Sequence, residues 1–298
     1  MTRHFLDVDD LDADELVAVL DQAENPAPAQ VLTGRGAALL FEKPSLRTRS
    51  SMELAVVQLG GHPVTILGDE AGLDRRETAE DIGRVLSRYH AVIGARVFEH
   101  AKVERLAAVS RVPVVNLLSD RAHPCQTLAD LLTLRQHFGD LKGRVVAYVG
   151  DGNNVCTSLM IGAALSDVEI RVATPLGYAP DPDVVERARD RTEVIVTDDP
   201  AAAVAGADAV YTDVWTSMGQ EAEAEARRRA FAAYRVDDAL MAMGSPDAVF
   251  LHCLPAHRGE EVTASVLEGP QSLVWQQAEN RMHAQRGLLA WLLAGTEP

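Results

Sequence analysis

The stretch Ala37-Ala38-Leu39-Leu40-Phe41-Glu42-Lys43-Pro44-Ser45-Leu46-Arg47-Thr48-Arg49 joins an apolar run to a helix start across a short polar turn. The run Ala37–Phe41 has the length and composition of a strand buried on both faces. Pro44 breaks it, and the residues after Pro44 read as the first turn of a helix. A strand feeding a helix is half of a βαβ unit, so the expected sheet is parallel. A helix N-terminus presents free backbone N–H groups and partial positive charge. Arg47 and Arg49 add guanidinium groups able to make bidentate, charge-assisted hydrogen bonds. The stretch is therefore expected to hold a phosphate or a similar anion.

The same alternation of short apolar runs and helical periodicity continues along the chain. Further strands are expected at Pro63–Leu67, Ala91–Ala95, Val112–Asn116, Val145–Val149, Glu169–Ala173, Val194–Thr197, Ala209–Asp213, Val249–Leu251 and Leu273–Trp275. Helical spacing recurs at Leu128–Phe138 and Ala222–Ala233, and an amphipathic helix is expected from Gln276 to Leu293. About ten strands are many for one open sheet. The expected fold is α/β with two lobes, each a parallel sheet flanked by helices, and with the C-terminal helix returning to the N-terminal lobe. Residues 1–133, completed by 276–298, form one expected domain and 134–275 the other. Gly139-Asp140-Leu141-Lys142-Gly143 closes the helix near that boundary.

With 28 basic and 44 acidic residues among 298, the net charge is −16. That balance disfavours nucleic acid and anionic membranes as partners. It also makes a local arginine cluster informative, because the chain as a whole repels anions. No apolar run approaches the roughly 20 residues of a membrane span. The first residues, Met1-Thr2-Arg3-His4-Phe5-Leu6-Asp7, lack the core of a signal peptide. Cys125, Cys156 and Cys253 have neither metal-ligand spacing nor an even-numbered disulfide pattern. A reducing cytoplasm is the expected location.

Chemistry-bearing residues fall where the strands are expected to end, at the edge where open α/β sheets bind ligands. Arg96 follows Ala91–Ala95. His123-Pro124-Cys125-Gln126 enters a helix with proline at its first position. His123 can donate to a developing oxyanion, and Gln126 can meet an amide through both its donor and its acceptor. Val149-Gly150-Asp151-Gly152-Asn153-Asn154-Val155 is a glycine turn that fails the dinucleotide fingerprint, since Val155 stands where the third glycine belongs. Asn153 and Asn154 read either as groups reaching into a cleft or as helix caps. Asp213 could pair with a substrate ammonium, and Ser217-Met218-Gly219 after it suits a mobile loop. His252 and Cys253 are adjacent on extended backbone and so point opposite ways. Cys253 is thus read as lining a substrate pocket rather than as a covalent nucleophile. The shared placement points to an active site between the two lobes.

Together, Ser45-Leu46-Arg47-Thr48-Arg49, His123-Pro124-Cys125-Gln126, Asp213-Val214-Trp215-Thr216-Ser217-Met218-Gly219 and His252-Cys253-Leu254-Pro255 resemble the ornithine carbamoyltransferases. The first two motifs are shared with aspartate carbamoyltransferases, and the last two are similar to the ornithine branch. The resemblance covers essentially the whole chain. It implies transfer of the carbamoyl group of carbamoyl phosphate to the δ-amine of L-ornithine, giving L-citrulline and phosphate, in arginine metabolism. It implies Ser45, Leu46, Arg47 and Thr48 around the phosphate, and Arg96, His123 and Gln126 around the carbamoyl end. It implies Asn154, Asp213, Ser217 and Met218 around ornithine, with Cys253, Leu254 and Arg281 completing the reacting pocket. It further implies a homotrimer with no metal and no organic cofactor. Arg47, Arg96, His123, Cys253 and Arg281 are the expected catalytic set. Two positions depart from the family pattern. The commoner motif has threonine where this chain has Leu46, which keeps a backbone N–H contact and loses a hydroxyl. Many bacterial members donate a glutamine to a neighbouring subunit from the position that is Gly72 here.

In the mechanism expected from these residues, arginines make phosphate a better leaving group, and Arg96 and His123 donate toward the carbonyl oxygen. Asp213 pairs with the α-ammonium and orients a neutral δ-amine. Closure of the Ser217–Gly219 loop is expected to exclude water. The rival readings are a carbamoyltransferase for another amine (aspartate, putrescine or an acylated ornithine), a nicotinamide-dependent dehydrogenase resting on the Gly150 turn, and a non-catalytic binding protein. An aspartate enzyme would offer extra cations to the second carboxylate, and the loop around Ser217 has none.

Overall fold

The computed structural model describes residues 2–217 and 220–294. In chain order the elements of the first part are α1 (Ala13–Glu24), β1 (Gly36–Phe41), α2 (Leu46–Gln58), β2 (His62–Leu67), α3 (Gly68–Ala71), α4 (Ala79–Tyr89), β3 (Val92–Arg96), α5 (His100–Val109), β4 (Val114–Leu118) and α6 (Pro124–Phe138). There follow β5 (Val145–Val149), α7 (Asn154–Leu165), β6 (Glu169–Ala173), α8 (Pro182–Arg189), β7 (Val194–Thr197), α9 (Pro200–Val204), β8 (Ala209–Thr212), α10 (Ala224–Phe231), α11 (Asp238–Met241), β9 (Val249–His252), α12 (Ala264–Leu267) and α13 (Val274–Leu293). The chain divides into two compact units: Met1–Leu132 with Glu279–Pro298, and Thr133–Ala278. The boundaries fall inside α6 and α13.

The first unit holds a parallel sheet of order β2-β1-β3-β4. After β1 the chain steps outward to β2 and then back past β1 to β3. The switch point between β1 and β3 leaves a crevice at the strand ends, where ligands bind in open α/β sheets. β1 and β3 read as continuous apolar runs because helices cover both their faces. Ala38, Leu40, Ile93, Ala95 and Val114 pack with Ile82, Val103 and Leu106 in one core. At the end of β3 the pairing with β4 slips by one residue between Ala95 and Arg96. Such a bulge re-aims the side chain beside it.

The second unit repeats the plan with the parallel order β7-β6-β5-β8-β9 and a switch point between β5 and β8. Its core gathers Val149, Val210, Trp215, Phe231, Val236, Phe250 and Val274. The fold is thus two parallel sheets flanked by helices, with the end of the C-terminal helix belonging to the first unit. Among the described residues no helix is long and apolar enough to cross a membrane.

One expected strand is a helix instead. Leu273–Trp275 was read from its apolar run, yet α13 begins at Val274 and only Ser272 makes an isolated bridge, to Phe250. A short apolar run cannot be told from the buried first turn of a helix by periodicity alone. Val274 is fully buried while Trp275 is exposed, the asymmetry of a helix entering a core. The second strand of the first unit begins one residue earlier than expected, and the next two are displaced by one or two residues. The displacement makes Arg96 the last residue of β3. The segment expected as a helix over Ala222–Ala233 is α10 flanked by short 3-10 turns.

Candidate active site

In the first unit the polar groups converge on Thr48. Ser45 caps α2, its hydroxyl accepting from the Thr48 amide at 3.2 Å. Among the described residues, the Leu46 and Arg47 amides remain as open donors of that first turn. Thr48 is buried, and its hydroxyl accepts from Arg96 Nη1 at 3.3 Å and from Arg281 Nη2 at 3.2 Å. Arg281 Nη1 donates to Gln126 Oε1 at 2.6 Å, and Gln126 Nε2 donates to Asp130 Oδ1 at 2.8 Å. The amide of Gln126 is thereby oriented by two neighbours rather than left open on both sides. Asp130, one helical turn after Gln126 and fully buried, is a site member that sequence reasoning missed.

His123 is held at the start of α6 by a loop organised around Ser119, whose hydroxyl meets Asn116, His100 and the Ala122 amide. Burial, then the positive charges of Arg281 and Arg96, push the His123 imidazole well below its ordinary pKa. It is therefore neutral near neutral pH and offers one N–H donor. Cys125 beside it is pushed up to about 12 by burial and donates to the Asn116 carbonyl, so it is an inert thiol. Lys43 lies 4.3 Å over the ring of Phe98, its pKa lowered by burial and then by Arg96.

Three parts of the opening motif separate. Arg47 is part-buried and, among the described residues, meets no acidic partner. Arg49 turns away and pairs with Glu53 one helical turn on, at 2.8 Å, and Glu53 is held in turn by Thr65. Arg49 thus belongs to the outer face of α2, a distinction that spacing alone does not carry. Leu46 is 79% exposed, so its side chain lies outside the core.

In the second unit Asp213, buried at the end of β8, is the hub. Its Oδ1 accepts from the Val214 amide and the Cys253 thiol, each at 2.8 Å, and its Oδ2 from Asn153 Nδ2 at 2.8 Å. Asn153 also caps α7, its Oδ1 accepting from Val155 and Cys156. Asn153 is therefore a helix cap, and its amide also serves Asp213. Asn154 begins α7 and is part-buried. Ser217 donates its amide to Gln220 Oε1 at 3.0 Å. Met218, with Gly219, lies outside the described residues.

His252 and Cys253 take different hydrogen-bond partners, although a ring nitrogen of the one lies within 4.8 Å of the sulfur of the other. His252 Nδ1 accepts from the Leu254 amide at 2.9 Å, so Nε2 carries the proton and donates to Glu261 Oε1 at 3.1 Å. Leu254 sits at φ +57°, in the left-handed region, and precedes a cis peptide bond to Pro255. Asp213, His252 and Cys253 bring ligand-type atoms within 4.8 Å of one another, as do His257, Glu260 and Glu261. Within the first group the Cys253 thiol donates to Asp213, while His252 is engaged by the Leu254 amide and Glu261.

Two parallel units, one with buried arginines and a helix N-terminus at its switch point and one with a buried carboxylate at its own, define an α/β protein with a cationic site in one unit and an anionic site in the other. Residues 3–136 match the carbamoyl-P binding domain of aspartate/ornithine carbamoyltransferase, and residues 142–292 match the Asp/Orn binding domain, so the chain belongs to that family. Within it, the ornithine carbamoyltransferase of Acidothermus cellulolyticus is 54% identical over 98% of this chain and 97% of its own. That of Thermus thermophilus is 50% identical over 98% and 97%. The solved ornithine carbamoyltransferase of Pyrococcus furiosus superposes with a TM-score of 0.95 at 46% identity, covering 99% of this chain and 98% of that one. An N-acetyl-L-ornithine transcarbamylase superposes at 0.88 with 31% identity, covering 97% and 99%.

Proposed function

We propose that this chain transfers the carbamoyl group of carbamoyl phosphate to the δ-amine of L-ornithine, giving L-citrulline and phosphate. The observation that carries the reading is the junction at Thr48, where two buried guanidinium groups meet a capped helix N-terminus. The first unit binds carbamoyl phosphate. The Leu46 and Arg47 amides, the Arg47 guanidinium and the Ser45–Thr48 turn hold the phosphate. Arg96, Arg281 and His123 face the carbonyl oxygen, and Gln126, oriented by Arg281 and Asp130, takes the carbamoyl amide. His123 acts as a neutral donor, polarising the carbonyl as charge develops without delivering a full proton.

The second unit binds ornithine. Asp213 accepts the α-ammonium on lone pairs that its three protein donors leave open, since a carboxylate has about four acceptor positions. Asn154, Ser217 and Met218 hold the rest of the amino-acid backbone, and Cys253 and Leu254 line the reacting end. The δ-amine attacks as its neutral form, so the rate rises with pH as more ornithine is deprotonated. The assembly is a homotrimer. Supporting this, β2 is an edge strand with every residue at least partly exposed, and α2 shows Leu54 and Val57 to solvent beside it. A parallel sheet is seldom left uncovered in this way. We assign the cytoplasm, which suits the free thiols of Cys125, Cys156 and Cys253.

The test is colorimetric detection of citrulline from the purified protein with both substrates, with each omitted, and with aspartate, putrescine or N-acetylornithine in place of ornithine. Citrulline only in the complete ornithine mixture supports the reading. Turnover confined to another amine would replace ornithine with that amine.

A further inference from the structure

Arg227 lies outside every motif of the chain, yet its side chain is only 4% exposed. It stands on α10 and ties down both loops that frame Asp213. Its Nη2 pairs with Asp151 Oδ2, in the turn after β5, and its Nε donates to the Trp215 carbonyl, in the loop after β8. Asp151 comes two residues before Asn153, which donates to Asp213. Trp215 lies midway between Asp213 and Ser217. The guanidinium carbon stands 4.8 Å from the Tyr178 ring centroid and 5.4 Å from that of Phe231, with Glu223 at 3.6 Å. A planar fork with several N–H donors can bridge a carboxylate and a carbonyl while stacking on rings; a lysine ammonium cannot.

The turn that Arg227 grips has little freedom of its own. A Cβ at Gly152 would fall 2.2 Å from the Pro180 nitrogen, so the backbone there is pressed against its neighbour. In the loop after β8, Ser217 donates its amide to Gln220 Oε1. Through its bonds to Asp151 and to the Trp215 carbonyl, Arg227 ties the loop after β8 to that turn.

We propose that Arg227 is a positioning residue for the acceptor amine: through Asp151 and the Trp215 carbonyl it sets the spacing of Asn153, Asp213 and Ser217. The inference rests on the reading that Asp213 holds the ornithine ammonium. Burial pushes the Asp151 carboxyl up to about 6 against the pull of Arg227, with Asp213 and Glu223 adding to the rise. Arg227 thus offsets the repulsion that Asp213 and Glu223 exert on the Asp151 carboxylate.

The test compares wild type, Arg227→Lys and Arg227→Ala in steady-state kinetics with each substrate varied, alongside thermal melts and calorimetric binding of carbamoyl phosphate. Arg227→Ala should raise the ornithine KM by about tenfold or more, with the carbamoyl phosphate KM and its calorimetric affinity within about twofold. Arg227→Lys should fall between, and added guanidinium ion should restore part of the ornithine KM in Arg227→Ala. If Arg227→Ala does not fold, the Arg227→Lys split decides. An ornithine KM unchanged in active variants overturns the proposal, as does an equal loss for both substrates without guanidinium rescue. Absence of citrulline from wild type would overturn the function itself, and this inference with it.

Discussion

The proposed anion site turns on Arg47, part-buried in the first turn of α2. Its neighbour Arg49 is engaged by Glu53, so the two guanidinium groups of the motif are not interchangeable. Arg47→Ala should lower kcat/KM for carbamoyl phosphate by about 100-fold or more, the order of losing an oxyanion donor, or roughly 3 kcal/mol. Arg49→Ala should stay within about threefold, because a solvent-facing pair contributes little. Near-equal losses in the two variants would show that the distinction is wrong. Leu46 makes the opposite prediction. Its amide is in place and its side chain is exposed, so Leu46→Thr adds a hydroxyl beside the cradle. A gain of about 1 kcal/mol is expected, read as a carbamoyl phosphate KM lowered by about fivefold. Both positions stand out in the sequence, at a helix start beside an apolar strand. Asp130 and Arg227 do not, because a buried acid within a helix and an arginine within an Arg-rich run carry no local signal.

The elements owe their positions to caps and close packing. α2 starts at Ser45 through its own capping hydroxyl, and α7 starts at Asn153, whose amide also serves Asp213. Asn153→Ala should therefore cost more than the roughly 1 kcal/mol of a lost cap, since Asp213 loses a donor as well. Urea denaturation would measure the stability, and the ornithine KM the second effect. α13 reaches α1 through Gly287, where a Cβ would stand 2.5 Å from the Ala23 nitrogen and 2.6 Å from the Val19 carbonyl oxygen. Both obstacles are backbone and cannot turn aside. Gly287→Val should destabilise the fold by about 2–4 kcal/mol and loosen Arg281, which rides on the same helix. An unchanged urea midpoint would refute that packing. The misreading of Leu273–Trp275 has its cause here. Val274 is apolar because it enters the core beside β9, and the three-residue run Leu273–Trp275 cannot express a helical period.

Taken as one molecule, the chain holds four of its nine histidines where burial disfavours their charged form. His4, His90, His100 and His123 all have pKa values lowered by burial. Below about pH 6.5 the unfolded chain takes up protons at these positions that the folded chain resists, so their share of stability is lost as pH falls. Asp151, raised to about 6, works the other way and offsets part of that loss. The clean readout is one histidine: His123→Gln should lose less melting temperature than wild type between about pH 7 and about pH 5. Parallel pH profiles would remove His123 from the account. The exposed face of α2 and β2 makes a separate claim. Leu54→Glu with Val57→Glu should convert a trimer to monomers in analytical ultracentrifugation, because the charges would lie on the surface proposed to be covered.

The alternation of apolar runs and helices was enough to specify two parallel sheets, since parallel strands need crossovers and buried strands need unbroken apolar stretches. The position of each motif at a strand end placed the candidate residues on the binding edge. Which of them meet was decided by tertiary structure alone. Thr48, Arg96, Gln126 and Arg281 are scattered over more than two hundred positions and are joined only because β1 and β3 are neighbours and α13 returns to the first unit. The same holds for Asp213, Asn153 and Cys253. Local sequence records hydrophobic period and turn chemistry. Side-chain partnership across a sheet depends on strand order, which no local pattern encodes.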